Sequence, residues 1–159
     1  MSDEIALHHA VSAFLTHEAV LLDDANFSAW LDLFEEDGIY WLPSSRDQTD
    51  MQGQISIMLE DKPLLALRTT RLAHPHAHSV TPHPTTTHLV GNISVAVEGD
   101  IVIAHSKLMM SELREDRETR LSGAVCHHLR RRGDGFGILL KRVDLIQAGN
   151  TFSAISIPP

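Results

Sequence analysis

The feature that most constrains this chain is a change in the period of its apolar residues, from helical spacing in the first half to alternation in the second. Leu7, Val11, Phe14, Leu15, Leu21 and Leu22 define one face of a helix from about Asp3 to Leu22. After Thr87, Leu89, Ile93, Val95 and Val97 alternate with Val90, Asn92, Ser94 and Ala96, which predicts a long strand. Glu98-Gly99-Asp100 turns the chain, Ile101 to Leu113 returns, and the charged run from Arg114 to Glu118 turns it again. Leu121, Val125, His127 and Leu129 mark one face of a third strand. Gly133-Asp134-Gly135 is a strong turn signal before a fourth strand, Phe136 to Ala148. Gly149-Asn150 leads to a last short strand, Phe152 to Ile157. Helices first and consecutive hairpins after them predict an α+β fold with a meandering antiparallel sheet. Strands of about 12 residues are long for a flat sheet. The sheet should therefore coil around the helices as a cone with one open end.

The stretch Leu21 to Pro43 joins the two regimes. Asn26 is placed to cap a second helix, on which Phe27, Trp30, Leu31 and Phe34 form an apolar stripe. Glu35 to Gly38 reads as a solvated turn, and Ile39 to Leu42 as a short aromatic strand ended by Pro43 and Ser44. Glu18 lies on or beside the apolar face of the first helix, where burial without a partner is costly, so a partner or partial exposure is expected. Ile55, Ile57 and Leu59 suggest another short strand. Asp61 and Pro63 look like the cap and first turn of a third helix, carried by Leu64, Leu65, Leu67 and Leu72 to about Ala73. His74 to Thr87 holds three prolines and four histidines, which suit a long loop.

At 159 residues the length fits one domain, 1–159. A formal net charge of −8 argues against a general nucleic-acid binder, which must neutralise phosphates with basic residues. The basic cluster Arg130 to Arg132 reads as a solvated strand end. Cys126 is the only cysteine, so this chain alone builds no disulfide, cysteine zinc site or iron–sulfur cluster. The acidic start MSDEIALHHAV lacks the pattern of a signal peptide, and no uninterrupted apolar run approaches the ~18 residues of a membrane span. A cytoplasmic protein with no membrane or nucleic-acid partner is expected.

With these elements in place, the chain resembles the small (β) subunit of bacterial aromatic-ring-hydroxylating dioxygenases, members of the nuclear-transport-factor-two-like, or cystatin-like, cone superfamily. FLTHEAVLLDDANFSAWLDLFEEDGIYWLP is similar to that family's opening, with Glu18, Leu22, Asp23, Trp30, Leu33, Phe34, Asp37 and Tyr40 in the expected order. ISIMLEDKPLLALRTTRLA with Arg68 and Arg71, THLVGNISV with His88 and Asn92, and ILLKRVDLI resemble later family segments. Two departures stand out: the histidine-rich loop has no tryptophan, and Thr86 replaces the family's arginine in Pro84-Thr85-Thr86-Thr87. The resemblance implies a non-catalytic assembly role. A large (α) subunit would carry the Rieske [2Fe-2S] cluster and mononuclear iron, and three small subunits would join a trimer of large ones. No cofactor or metal is then expected in this chain, and its outer sheet face should be an interaction surface.

The same superfamily includes pocket enzymes that transfer protons without cofactors. Asp24, Tyr40 and His88 sit where a scytalone-dehydratase-like member has an aspartate, a tyrosine and a histidine. In that alternative His88 is the general acid or base, Asp24 orients it, and Tyr40 polarises a carbonyl. The plainer reading is favoured: Asp24 closes a turn, Tyr40 packs in the first strand, and His88 makes a hydrogen bond at a strand start. A stand-alone ligand-binding cone is a third possibility. His78, His83 and His88 are spaced by five, and the last two match part of an iron signature. The acidic position of that signature is Val80, however, and prolines prevent one helix from presenting the pair. His127 is expected to line the cone interior as a satisfied core histidine, with Cys126 facing the other way.

Overall fold

The computed structural model describes residues 2–73, 83–149, 155 and 157–159. Its elements run α1 (Ser2–Asp23), α2 (Phe27–Asp32), β1 (Phe34–Leu42), β2 (Met58–Asp61), α3 (Lys62–Ala73), β3 (Thr85–Glu98), β4 (Ile101–Arg114), β5 (Arg117–Arg132) and β6 (Gly135–Leu145). The strands form one sheet in the order β2-β1-β6-β5-β4-β3. This is the expected α+β cone, with helices against the concave face of a sheet dominated by long antiparallel strands. One pairing departs from a pure meander: β1 lies parallel to β6, which brings the first strand beside the last.

The core collects the apolar stripes of helices and strands alike. Val11, Leu15 and Leu22 of α1 meet Trp30, Phe34, Tyr40, Leu65, Leu129 and Ile138. By length and mean hydropathy α1 would qualify as a membrane span. Here its buried stripe, which includes Glu18, packs on the sheet as a core helix does.

Local signals hold where they rest on caps. The Asn26 side chain accepts from Ala29 N at 3.4 Å, and Asp61 Oδ1 accepts from Leu64 N at 3.1 Å. Other expectations require correction. The second helix ends at Asp32, because Leu33 O accepts from Ile138 N at 2.7 Å and the chain joins the sheet. Phe34 still packs on Trp30, ring centroids 5.1 Å apart, so its i+4 spacing reflects a shared core and not a continuous helix. Glu35 to Gly38 is a bulge within β1, across which the register with β6 shifts. Lys62 fastens it, donating to Phe34 O and Glu36 Oε1, each at 2.9 Å. Ile55 is 90% exposed and the short strand begins only at Met58. On α3, Leu65, Thr69 and Leu72 are buried, while Leu64 and Leu67 face outward.

In β3 a second bulge, with Asn92 in the left-handed region at φ 51, moves the inward phase. Thr86, His88 and Val90 point in before it, and Ile93 and Val95 after it. Leu89 therefore faces outward, against the expectation from simple alternation. Thr85 to Thr87, read from sequence as loop, already pair with β4. The fourth long strand ends at Leu145 and not at Ala148. Residues 74–82 of the histidine-rich loop and most of the last predicted strand lie outside the described residues.

The β1 bulge gives a direct test. A Cβ on Gly38 would sit 2.6 Å from Ile138 O and 2.9 Å from Glu35 O, both main-chain atoms that cannot turn away. Gly38→Ala should lower unfolding free energy by about 1–3 kcal/mol in urea denaturation, the range for overpacking. An unchanged midpoint would show that the bulge relaxes freely.

Candidate functional site

One row of side chains crosses the concave face of the sheet. The ladder aligns Tyr40 (β1) with Lys141 (β6), and Lys141 with His127 (β5). Helix α1 lays Glu18 on this row. Glu18 Oε1 accepts from Lys141 Nζ at 2.6 Å and from Trp30 Nε1 at 3.2 Å, and Oε2 accepts from His127 Nε2 at 2.8 Å. Glu18, His127 and Lys141 are each at most 4% exposed. Burial alone would raise the Glu18 carboxyl, but attraction to Lys141 and to His127, with the hydrogen bonds both donate, outweighs it and holds the group well below the usual carboxylate range. Lys141 also lies 5.7 Å from the centroid of the Tyr40 ring. Burial, aided by the nearby Glu18 charge, pushes the Tyr40 phenol upward, so it stays protonated and donates to Pro159 O at 3.0 Å.

A second polar group closes the cone between α1 and β3. Asp23, the last residue of α1, accepts from Thr86 Oγ1 at 3.0 Å, from His88 N at 3.0 Å, and contacts His88 Nδ1 at 2.5 Å. His88 Nε2 donates to Pro158 O at 3.1 Å. The carboxylate that orients His88 is therefore Asp23. Asp24 is exposed, and its N–H bonds Val20 O at 2.9 Å to close the end of the helix. Asp24 shares no hydrogen bond with Tyr40 or His88 among those of the described residues. Tyr40 and His88 are instead both fastened to the buried segment Ile157–Pro159.

The cavity beside these groups has a volume of about 20 Å³ and is walled by Glu18, His88, Ser106, His127 and Lys141 among apolar neighbours. Larger hollows of about 560 and 520 Å³ are open grooves, at α1–β3 and α2–α3. Among the described residues, no three His, Cys, Asp or Glu side chains are grouped to hold a metal ion. Both ring nitrogens of His88 are already engaged by the protein, and His78 lies outside the described residues.

Sequence reasoning flagged Glu18 and His127 but missed Lys141 and Trp30 as their partners. A signal existed for Lys141, which shares the inward phase of Val143 and Leu145. Opposite charges on two apolar faces, one helical and one extended, are a pairing cue.

Glu18→Gln should cost about 3–5 kcal/mol, because Lys141 keeps its buried charge without a counter-ion. The native carboxyl binds its proton more weakly than the unfolded one. Its stabilisation is thus complete above the ordinary carboxylate range and is lost as pH falls through and below that range. Urea unfolding between about pH 5 and pH 3 should show stability falling with pH in the native sequence and a flatter profile in Glu18→Gln. Identical slopes would mean the cluster is not ionic.

Comparison with known proteins agrees with this architecture. The family described as the ring hydroxylating beta subunit matches residues 17–149. The small subunit of anthranilate 1,2-dioxygenase from Acinetobacter baylyi is 33% identical over 140 residues, covering 84% of this chain and 86% of that protein. The crystal structure of the beta subunit of benzoate 1,2-dioxygenase from Burkholderia mallei superposes with a TM-score of 0.72 at 26% identity, covering 85% of this chain and 87% of that one. An NTF2-like protein with a cystatin-like fold from Novosphingobium aromaticivorans, 16% identical, shares the fold with a TM-score of 0.62, covering 89% of this chain and 82% of that one. With 133 consecutive residues spanned by the family match and the cone formed by the same residues, this chain belongs to the ring-hydroxylating beta-subunit family.

Proposed function

We propose that this chain is the small subunit of a cytoplasmic aromatic-ring-hydroxylating dioxygenase in aromatic-compound catabolism, and that it acts by assembly. A large subunit carries the Rieske cluster and mononuclear iron and oxidises the ring. Three small subunits support a trimer of large ones. A chain with one cysteine cannot supply the two thiolates of a Rieske cluster, so the redox centres belong to the partner.

The observation that carries this reading is how the polar groups described inside the cone are committed to one another. Small-molecule sites commonly measure about 300–1,000 Å³, whereas the cavity walled by the candidate polar groups measures about 20 Å³. Its polar walls are also committed to one another. Glu18 is saturated by three donors, and Tyr40 and His88 are tied to Pro159 and Pro158. A proton-transfer enzyme needs a free acid or base facing a substrate-sized space, and this cone offers neither at Tyr40 or His88.

The outer sheet face is the surface offered to partners. Leu89 and Met109, paired across β3 and β4, are 67% and 61% exposed side by side. Light scattering on the chain co-expressed with a Rieske large subunit should give a complex with equal numbers of both chains and threefold stoichiometry. A strictly monomeric chain with turnover of its own would overturn the proposal. Leu89→Glu with Met109→Glu should leave far-ultraviolet circular dichroism unchanged and weaken association about tenfold or more, the equivalent of ~1.4 kcal/mol.

A further inference from the structure

Two buried side-chain atoms have no hydrogen-bond partner among the described residues: Ser106 Oγ and His127 Nδ1. Both residues are 3% exposed, and both wall the cavity of about 20 Å³ next to Glu18 and Lys141. Buried polar atoms are nearly always paired, so two such atoms at one small cavity call for a shared partner. A water occupies about 10–15 Å³ measured in this way and needs two to four polar neighbours. The cavity thus admits one water and nothing much larger.

The ladder makes these two residues diagonal neighbours on the inward face. Ser106 stands opposite Val125, and His127 is two residues further along β5 on the same inward face. Such diagonal neighbours lie about 7–8 Å apart at Cα, and a water making two ordinary hydrogen bonds joins atoms about 5–6 Å apart. Ala104, opposite His127, has too short a side chain to fill the gap.

We propose that this cavity is the binding site of a single ordered water bridging Ser106 Oγ and His127 Nδ1. The direction of the bonds follows from chemistry already fixed on the other side of the ring. The Glu18 carboxylate accepts, so His127 Nε2 carries the proton. A ring that carries only the Nε2 proton presents its Nδ1 lone pair to the cavity, where the water donates to it and accepts from the Ser106 hydroxyl. Ser106 donates to the water, the water to His127 Nδ1, and His127 Nε2 to the Glu18 carboxylate, which only accepts.

A crystal structure of the purified chain at high resolution should show one fully occupied density peak within hydrogen-bond distance of both atoms. Long-range ¹H–¹⁵N correlation of the His127 ring should show protonated Nε2 and unprotonated Nδ1. Ser106→Val places a methyl in the cavity, and should remove the peak and shift the Nδ1 resonance downfield with Nε2 still protonated. A cavity without density in the native protein would overturn the proposal, as would a proton on Nδ1. An Nδ1 resonance unmoved in Ser106→Val would do the same. If Ser106→Val fails to fold, the native density and the native ring resonances decide the matter.

Discussion

A carboxylate sealed inside a protein must be answered by charge and hydrogen bonds, and in this cone that demand falls on Glu18. Its partners come from three different elements, Trp30 from α2, His127 from β5 and Lys141 from β6, while α1 carries the acid. No two of these elements can slide relative to each other without breaking a charge-assisted bond in a medium where such bonds are strong. Apolar packing around Trp30, Phe34 and Leu129 supplies the bulk of the burial. The Glu18 cluster adds a fixed relation between helix layer and sheet. Whether it improves stability over an apolar replacement is a separate matter, since buried ion pairs can be neutral or worse in that comparison.

The junction of α1 with β3 is held by a different device. Asp23 ends α1, and its carboxylate organises the start of β3 through Thr86 and His88. His88 and Tyr40 then hold the carbonyls of Pro158 and Pro159, so both side chains are committed to the segment Ile157–Pro159. A histidine, an aspartate and a tyrosine in a cone are therefore compatible with a purely architectural role. Residue type does not separate the two roles; what each side chain touches does.

Much of this was legible in the chain. The two caps at Asn26 and Asp61 and the turns after Glu98 and Gly133 are local events, decided within a few residues, and they fall where the sequence puts them. The inward face of β5, with Leu121, Val125, His127 and Leu129, follows from strict alternation. Alternation failed at Leu89 because one extra residue at the Asn92 bulge inverts every side chain on one side of it. Helical spacing failed at Phe34 because an aromatic at i+4 can reach the same core after the helix has ended. Asp24 was named where Asp23 acts, since the exit angle of α1 decides which of two adjacent carboxylates faces β3.

The sequence by itself determined the fold class, the order of elements and the family, because those depend on the periods of apolar residues and on short motifs. It also determined that no Rieske cluster is held here, since one cysteine cannot supply two thiolates. Only the tertiary structure decided the pairing of Glu18 with Lys141 and His127, the parallel contact of β1 with β6, and the small cavity beside Glu18. Those features depend on register and on contacts between residues more than a hundred positions apart. Local pattern carries no information at that range until the chain has closed on itself.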